Sequence, residues 1–342
     1  MKYRLVALVI LNKFISTETS FIHIKNKEAI QTSPWSIRNG TMVRKGDDYL
    51  EDVLVLGSMS FVGFHLVKRL LEDGITVYSV EINDEKRDEI KEEKMLEIGR
   101  NANFISLDSQ EAFDIEDKLQ AIFICYDTEE IVEEGYVESF SDILQDIIHE
   151  CQSRGTRLVF ISSLEAIDHD VDIVTEETGY KPRNKTGELC AKWEKVIVNA
   201  YERRKFSYVI LRCPTIYGPW QPNHFSYQYA LEAIERKMQV KILEDSYIED
   251  ILYIDDVIEA IIRTQTITEE KEIIHITSGR SGEWSKGLEL IEPDYHLQKK
   301  APYATLSTKK ARELLSFKPM VNIEDGIEYQ RTHLKTKLNP DY

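Results

Sequence analysis

The alternation of apolar and polar positions is clearest from residue 53 onward. Val53-Leu54-Val55-Leu56 is a short apolar run of strand character. Gly57-Ser58-Met59-Ser60-Phe61-Val62-Gly63 follows at once, then a stretch with apolar residues at helical spacing, over 61–73, closed by Gly74. A second apolar run, Thr76 to Val80, ends in Glu81. The same rhythm continues, with strands expected at 103–107, 121–125, 157–162 and 207–212 and helices at 136–154 and 186–204. Strands that alternate with helices pair in parallel through right-handed crossovers. The expected class is therefore α/β, a Rossmann-like doubly wound parallel sheet. A smaller C-terminal substrate lobe is expected from segments near 168–184, 216–248 and 278–305 together with the end of the chain. Three sections follow: 1–50 as an N-terminal extension, 51–215 as the dinucleotide-binding domain, and 216–342 as the smaller lobe interleaved with the last Rossmann elements. Phe225, Tyr229 and Ile234 on a helix over 224–237 read as core packing.

The turn after the first of these strands has the chemistry of a dinucleotide site. Glycines at 57 and 63 and an acidic residue about twenty positions on match the βαβ fingerprint. Gly57 permits the tight turn, and Gly63 lets helix and strand pack closely. The helix N-terminus, at Phe61 and Val62, faces a pyrophosphate. Glu81 accepts hydrogen bonds from ribose hydroxyls, which favours NAD over NADP. Ser60 departs from the pattern: it stands where backbone must approach the pyrophosphate, and its Cβ takes up room. Its hydroxyl is able to donate to a phosphate. The turn alone is equally consistent with an α/β domain that binds no cofactor.

Composition narrows the partners. The formal charge is −17, from 43 basic and 60 acidic residues, which argues against nucleic acid and against anionic membrane surfaces. The blocks Glu129-Glu130 and Glu133-Glu134 read as solvated faces. Cys125, Cys151, Cys190 and Cys213 are scattered without metal spacing, and the eight histidines form no ligand cluster. No metal site is expected, and a reduced, cytoplasmic setting fits. The apolar run Leu5 to Leu11 falls far short of the roughly twenty residues that span a bilayer. No small-residue cleavage site follows it, so it reads as a β-strand. Ser33-Pro34-Trp35 and Asn39-Gly40 read as turns.

Several segments in order resemble the extended short-chain dehydrogenase/reductases, in the nucleotide-sugar epimerase and dehydratase branch. The resemblance covers about Val53 to Ile327. Leu158-Val159-Phe160-Ile161-Ser162-Ser163 looks like the strand that ends in the family's catalytic serine, with Ser163 in that place. Leu211-Arg212-Cys213-Pro214-Thr215-Ile216-Tyr217-Gly218-Pro219-Trp220 looks like the segment ending in Tyr-Gly-Pro, and the tryptophan after it is familiar from uronate epimerases. Asp250 to Val257 resembles the aspartate-rich strand-to-helix junction, and Ser307 to Pro319 the C-terminal helix and its turn. Asp108 falls where the family holds the adenine. Residues 1–50 are an addition, since family members start near their first strand. The helices over 136–154 and 186–204 imply a homodimeric four-helix bundle.

The resemblance also implies a Tyr-x-x-x-Lys pair on the helix crossing the active site. Pro182 and Glu194 set the register without a gap, and Thr186 then stands for the tyrosine and Cys190 for the lysine. A phenol with a pKa near 10 can be drawn toward neutrality by a cation, whereas a threonine hydroxyl has no such acidity and cysteine no positive charge. General acid/base catalysis supplies about 10²–10⁴-fold, so hydride chemistry by the usual route is expected to be slow or absent. Substitutes are poor. Tyr201 begins a literal Tyr-x-x-x-Lys, but lies fifteen residues past Thr186, about 22 Å along a helix, and reads as an exposed last turn. Lys185 and Lys192 read as solvated charges, Tyr180 as a loop residue, and Cys190 as a small semi-buried residue. The usual arginine before the aspartate-rich strand is Glu249, which repels a diphosphate it faces. The usual asparagine two residues before Tyr217 is Thr215.

Three functions are consistent with these residues. The first is an NAD(H)- or nucleotide-binding protein that lacks the Tyr–Lys pair and acts as a sensor, scaffold or partner subunit. The second is an active nucleotide-sugar epimerase or dehydratase with relocated acid/base groups, drawing on Ser163, Tyr180 or Lys192. The third is an interaction protein assembled through residues 1–50.

Overall fold

The computed structural model describes residues 35–38, 41–44, 52–81, 89–108, 115, 118–126, 137–240, 248–293 and 304–338. The strand expected over 5–11, the Ser33-Pro34 turn and the two acidic blocks lie outside the described residues. The chain divides into two compact units, Met1–Tyr49 and Leu50–Tyr342. In the first, β1 (Trp35–Arg38) and β2 (Thr41–Arg44) form an antiparallel pair. Arg38 stands opposite Thr41, and the turn expected at Asn39-Gly40 between them lies outside the described residues.

The second unit begins with β3 (Asp52–Leu56), α1 (Phe61–Glu72) and β4 (Thr76–Val80). Then come α2 (Glu89–Ile98), β5 (Phe104–Leu107), β6 (Leu119–Ile124), α3 (Val137–Arg154) and β7 (Arg157–Ser163). A 3₁₀ turn, Leu164–Ala166, leads to β8 (Ile173–Val174), α4 (Lys185–Arg203), β9 (Tyr208–Cys213) and β10 (Thr215–Tyr217). The remainder holds α5 (Ser226–Glu235), β11 (Ile251–Tyr253), α6 (Ile254–Arg263), β12 (Lys271–His275) and α7 (Glu283–Ile291). Last come β13 (Thr305–Leu306), α8 (Lys309–Leu315) and α9 (Ile323–Leu338).

Seven strands form one parallel sheet in the order β12-β9-β7-β6-β3-β4-β5. The order reverses between β3 and β6. Such a switch point leaves a crevice outside the carboxyl ends of the two strands, where ligands of this fold class bind. The central strands are apolar on both faces because helices cover both. Val53, Val55 and Phe123 pack toward α1 and α6, while Leu54, Leu56 and Ile122 pack toward α3 and α4. The pairs β10–β11 and β8–β13 form two separate two-stranded sheets outside this one. Among the described residues, no helix is long and apolar enough to cross a membrane.

Two sequence expectations change. The buried face of α5 is carried by Tyr227, Ala230 and Leu231; Ile234 packs at its edge, and Tyr229 and Phe225 stay half-buried. Tyr201 is buried, not exposed, because its ring stacks among Phe206 and Tyr208, with centroids 6.2 and 5.4 Å away. The ammonium groups of Lys205 and Lys271 lie over that ring, which leaves the helix end polar outside and aromatic within.

Candidate functional site

The turn between β3 and α1 takes the shape that its residues dictate. Gly57 has φ +73°, a left-handed conformation that costs glycine little. A Cβ on Gly63 would lie 1.9 Å from the Gly57 carbonyl oxygen, so only glycine lets α1 start this close to the strand. Ser60 caps α1: its Oγ accepts from the Gly63 amide at 3.0 Å and donates to the Cys125 carbonyl at 2.5 Å. The expectation that this hydroxyl serves a phosphate is thereby corrected, since its one proton is spent on β6. The amides of Phe61 and Val62 belong to the first helical turn, which a helix cannot satisfy internally and which favours an anion.

Glu81 points back into the turn. It accepts from the Met59 amide at 2.8 Å and from the Ser58 hydroxyl at 2.7 Å, and Ser58 in turn meets Ser79 at 2.5 Å. The carboxylate expected to hold ribose hydroxyls is here bonded within the turn itself. Asp108 is exposed just past β5.

Below this turn, a cavity of about 140 Å³ opens at the carboxyl ends of β6, β7 and β9. It brings together Ser60, Phe61, Val62, Ser163, Thr186, Cys190 and Thr215, residues the sequence singles out from four separate segments. Ser163 ends β7, where its Oγ caps the 3₁₀ turn by accepting from the Glu165 amide at 3.1 Å. Thr186 and Cys190 lie one turn apart on α4. That helix starts at Asn184, whose Oδ1 accepts from the Gly187 amide at 2.8 Å. Gly187 permits the approach, since a Cβ there would lie 2.2 Å from the Glu165 carbonyl oxygen. Cys190 is buried more deeply than the sequence suggests, because Leu164, Ala166 and Ile167 close over it.

The cavity is poor in ionisable groups. Among the described residues that line it there is no lysine, arginine or histidine, one carboxylate (Glu165) and one tyrosine (Tyr126). Burial holds the thiols of Cys125 and Cys213 well above the ordinary range, that of Cys213 at about 12, so both stay protonated. Sequence reasoning passed over Glu165 and Tyr126. Glu165 stands two residues past the serine, a spacing that a 3₁₀ turn folds back toward the same opening, and it accepts from Asn184 Nδ2 at 2.8 Å.

The proposed substitutes lie elsewhere. Tyr180 donates to Glu194 at 3.1 Å, and burial together with that carboxylate pushes its phenol up to about 12. Glu194 is itself buried, gripped by Arg212 and bonded to Ser162 at 2.5 Å. Lys192 lines a groove between α3 and α4, and Lys185 is exposed beside Glu188. Tyr217 is buried against Tyr227 and Tyr253. Glu249, expected to face a ligand, is buried instead and caps the first turn of α7, accepting from the amide and hydroxyl of Ser285. A carboxylate at a helix N-terminus is satisfied by the amides there, so repulsion of a diphosphate does not follow. Among the described residues, no group of three or more histidine, cysteine or acidic side chains is placed to hold a metal.

The switch-point crevice, the glycine turn and the serine-ended strand define a dinucleotide-fold domain of the short-chain dehydrogenase kind. The model of the NAD-dependent epimerase/dehydratase family matches residues 53–276, and the chain belongs to that family. An uncharacterized protein of Methanocaldococcus jannaschii is 25% identical over 329 residues, covering 81% of this chain and 94% of that protein. The crystal structure of UDP-glucuronic acid 4-epimerase from Bacillus cereus, in complex with NAD, superposes with a TM-score of 0.69 at 20% identity, covering 84% of this chain and 99% of that one. The dTDP-glucose 4,6-dehydratase of Bacillus anthracis, also in complex with NAD, gives 0.72 at 14% identity, covering 85% and 98%. At these identities the structural likeness establishes the fold.

The residues present fit a dinucleotide in part. The Gly57 turn and the amides of Phe61 and Val62 suit a pyrophosphate. The crevice above Gly57 does not, because the ring of Tyr126 already lies there.

Proposed function

We propose that this protein binds NAD(H) or a related nucleotide at the Gly57–Gly63 turn and does not use it for hydride chemistry through a tyrosine–lysine pair. It acts as a sensor or partner subunit built on an epimerase/dehydratase frame. The observation that carries this reading is the lining of the Ser163 cavity, where Thr186 and Cys190 stand and no cationic side chain is present among the described residues. Threonine supplies no acid of useful strength, and among the described lining residues no cation stands beside it to lower a phenol's pKa. Such a protein keeps the binding surface and forgoes the roughly 10²–10⁴-fold that a positioned acid/base contributes. Four free cysteines fit a reducing, cytoplasmic setting. The groove between α3 and α4, with Leu144, Ile148, Trp193 and Val196 along it, supports a homodimer formed across these helices.

The test is calorimetry with NAD and NADH, followed by a panel of UDP- and dTDP-sugars with NAD. The expected result is nucleotide binding without sugar conversion. Turnover that disappears in Ser163→Ala would overturn the reading.

One observation favours a second reading, an active enzyme with relocated groups. Glu165 is a carboxylate in the cavity, oriented by Asn184. Turnover lost in Glu165→Gln while binding persists would establish it.

A further inference from the structure

Tyr126 follows β6 at the point where the strand order reverses, and its side chain crosses the neighbouring strand ends. A Cβ placed on Gly57, just past β3, would lie 2.8 Å from Cδ1 and 3.1 Å from Cε1 of the Tyr126 ring and 3.1 Å from its Cα, so both the ring and the backbone of Tyr126 rest against the glycine. The phenol continues to the end of β4, where its hydroxyl donates to the Val80 carbonyl at 3.3 Å. The outer edge of the ring meets Phe140 of α3 edge-on, with centroids 5.5 Å apart. One side chain therefore spans the carboxyl ends of β6, β3 and β4. A dinucleotide that runs from Glu81 across the glycine turn to the Ser163 cavity must follow the same line. The ring also walls that cavity, and the volume left, about 140 Å³, falls below the ~300–1,000 Å³ usual for small-molecule sites.

We propose that Tyr126 is a gate on the nucleotide groove: its ring occupies the crevice over Gly57, and a dinucleotide binds only when the ring turns away. The proposal rests on the nucleotide-binding reading above and adds the residue that sets affinity. The hydroxyl contact is long for an O–H donor and the ring is half-buried, so turning the ring out gives up a weak hydrogen bond and its packing against Phe140. When a site is competent only in a minor state, the apparent affinity drops by the population of that state. A ring that is turned out for a tenth of the time or less lowers affinity about tenfold or more.

The experiment measures NADH binding by calorimetry and by the fluorescence of the bound nicotinamide, in the natural protein and in Tyr126→Ala, Tyr126→Leu and Tyr126→Phe. The leucine variant keeps an apolar side chain but lacks the outer ring and hydroxyl that reach Val80, and it guards against a fold defect in the alanine variant, with circular dichroism checking each. The expected result is about tenfold or greater tightening in the alanine or leucine variant, and a change of less than about threefold in the phenylalanine variant, which keeps the ring. Equal or weaker binding in the folded alanine and leucine variants overturns the gate while leaving the nucleotide reading in place. Absence of NADH binding in every variant overturns both.

Discussion

Arg212 grips both carboxylate oxygens of Glu194: its Nη2 lies 2.7 Å and its Nε 3.1 Å from Oε2, with Nε equally close to Oε1. Both side chains are withdrawn from solvent, at 2% and 0% exposure, and Ser162 and Tyr180 complete the carboxylate's partners. The pair ties α4 to β9 across the end of β7, which fixes the height of Thr186 and Cys190 above Ser163. Removing one partner strands a buried charge, so Glu194→Ala is expected to cost about 3–5 kcal/mol. Urea unfolding measures it. Replacing both residues with apolar ones of similar size is expected to recover most of that loss.

Gly187 is the second constraint on the same helix. Its Cβ-free face sits against the Glu165 carbonyl, and Gly187→Ala forces α4 away from the 3₁₀ turn. The expected cost is about 1–3 kcal/mol, typical of overpacking, read as a lower thermal midpoint. The same substitution at Gly279 meets only the methyl of Thr308, a side chain able to yield, although its positive φ adds strain of its own.

Acid sensitivity follows from two half-buried histidines held neutral. Burial pulls His65 down to about 4, helped by Lys94 and Lys68, and burial with Lys337 does the same to His333. The unfolded chain protonates near 6.5, so between pH 6.5 and 4 it takes up protons that the folded chain refuses. Stability is therefore full above 6.5 and declines as pH falls through this window. For His65, half-buried, the slope stays below about 1.4 kcal/mol per pH unit. Asp250, raised by burial to about 6 from 3.8, works in the opposite direction over part of the range. Thermal midpoints measured from pH 7 to 4.5 are expected to fall, with a shallower decline in His65→Gln.

The α3–α4 groove gives the fourth prediction. Val196→Glu places a charge beside Leu144 and Trp193 without touching the Ser163 cavity. Sedimentation is expected to show a dimer for the natural protein and a monomer for this variant, with NADH binding unchanged.

The parts legible in sequence are those with local causes. The strand, glycine turn and helix from Asp52 to Glu72 show in an apolar run, a cap and a spacing of glycines, all within about twenty residues. The ends of α3 and α4 fall within a residue or two of the periodicity for the same reason. What escaped depends on contacts between distant segments. Tyr126 meets Gly57 only because β6 lies beside β3, a neighbour relation that no local pattern carries. Glu249 looks like a ligand-facing charge until α7 arrives, 36 residues later, and offers it Ser285. Tyr201 resembles an exposed last turn until Phe206 and Tyr208 fold back beneath it.

The last strand of the sheet has a practical consequence. β12 lies flat along β9 from Lys271 opposite Tyr208 to His275 opposite Arg212. A truncated chain that stops at residue 215 would strip this cover and leave six buried residues, Tyr208 to Cys213, as a bare sheet edge. Long apolar edges recruit other strands, so such a fragment is destined for aggregates rather than for a minimal nucleotide-binding module. Dissection of this protein has to keep its tail.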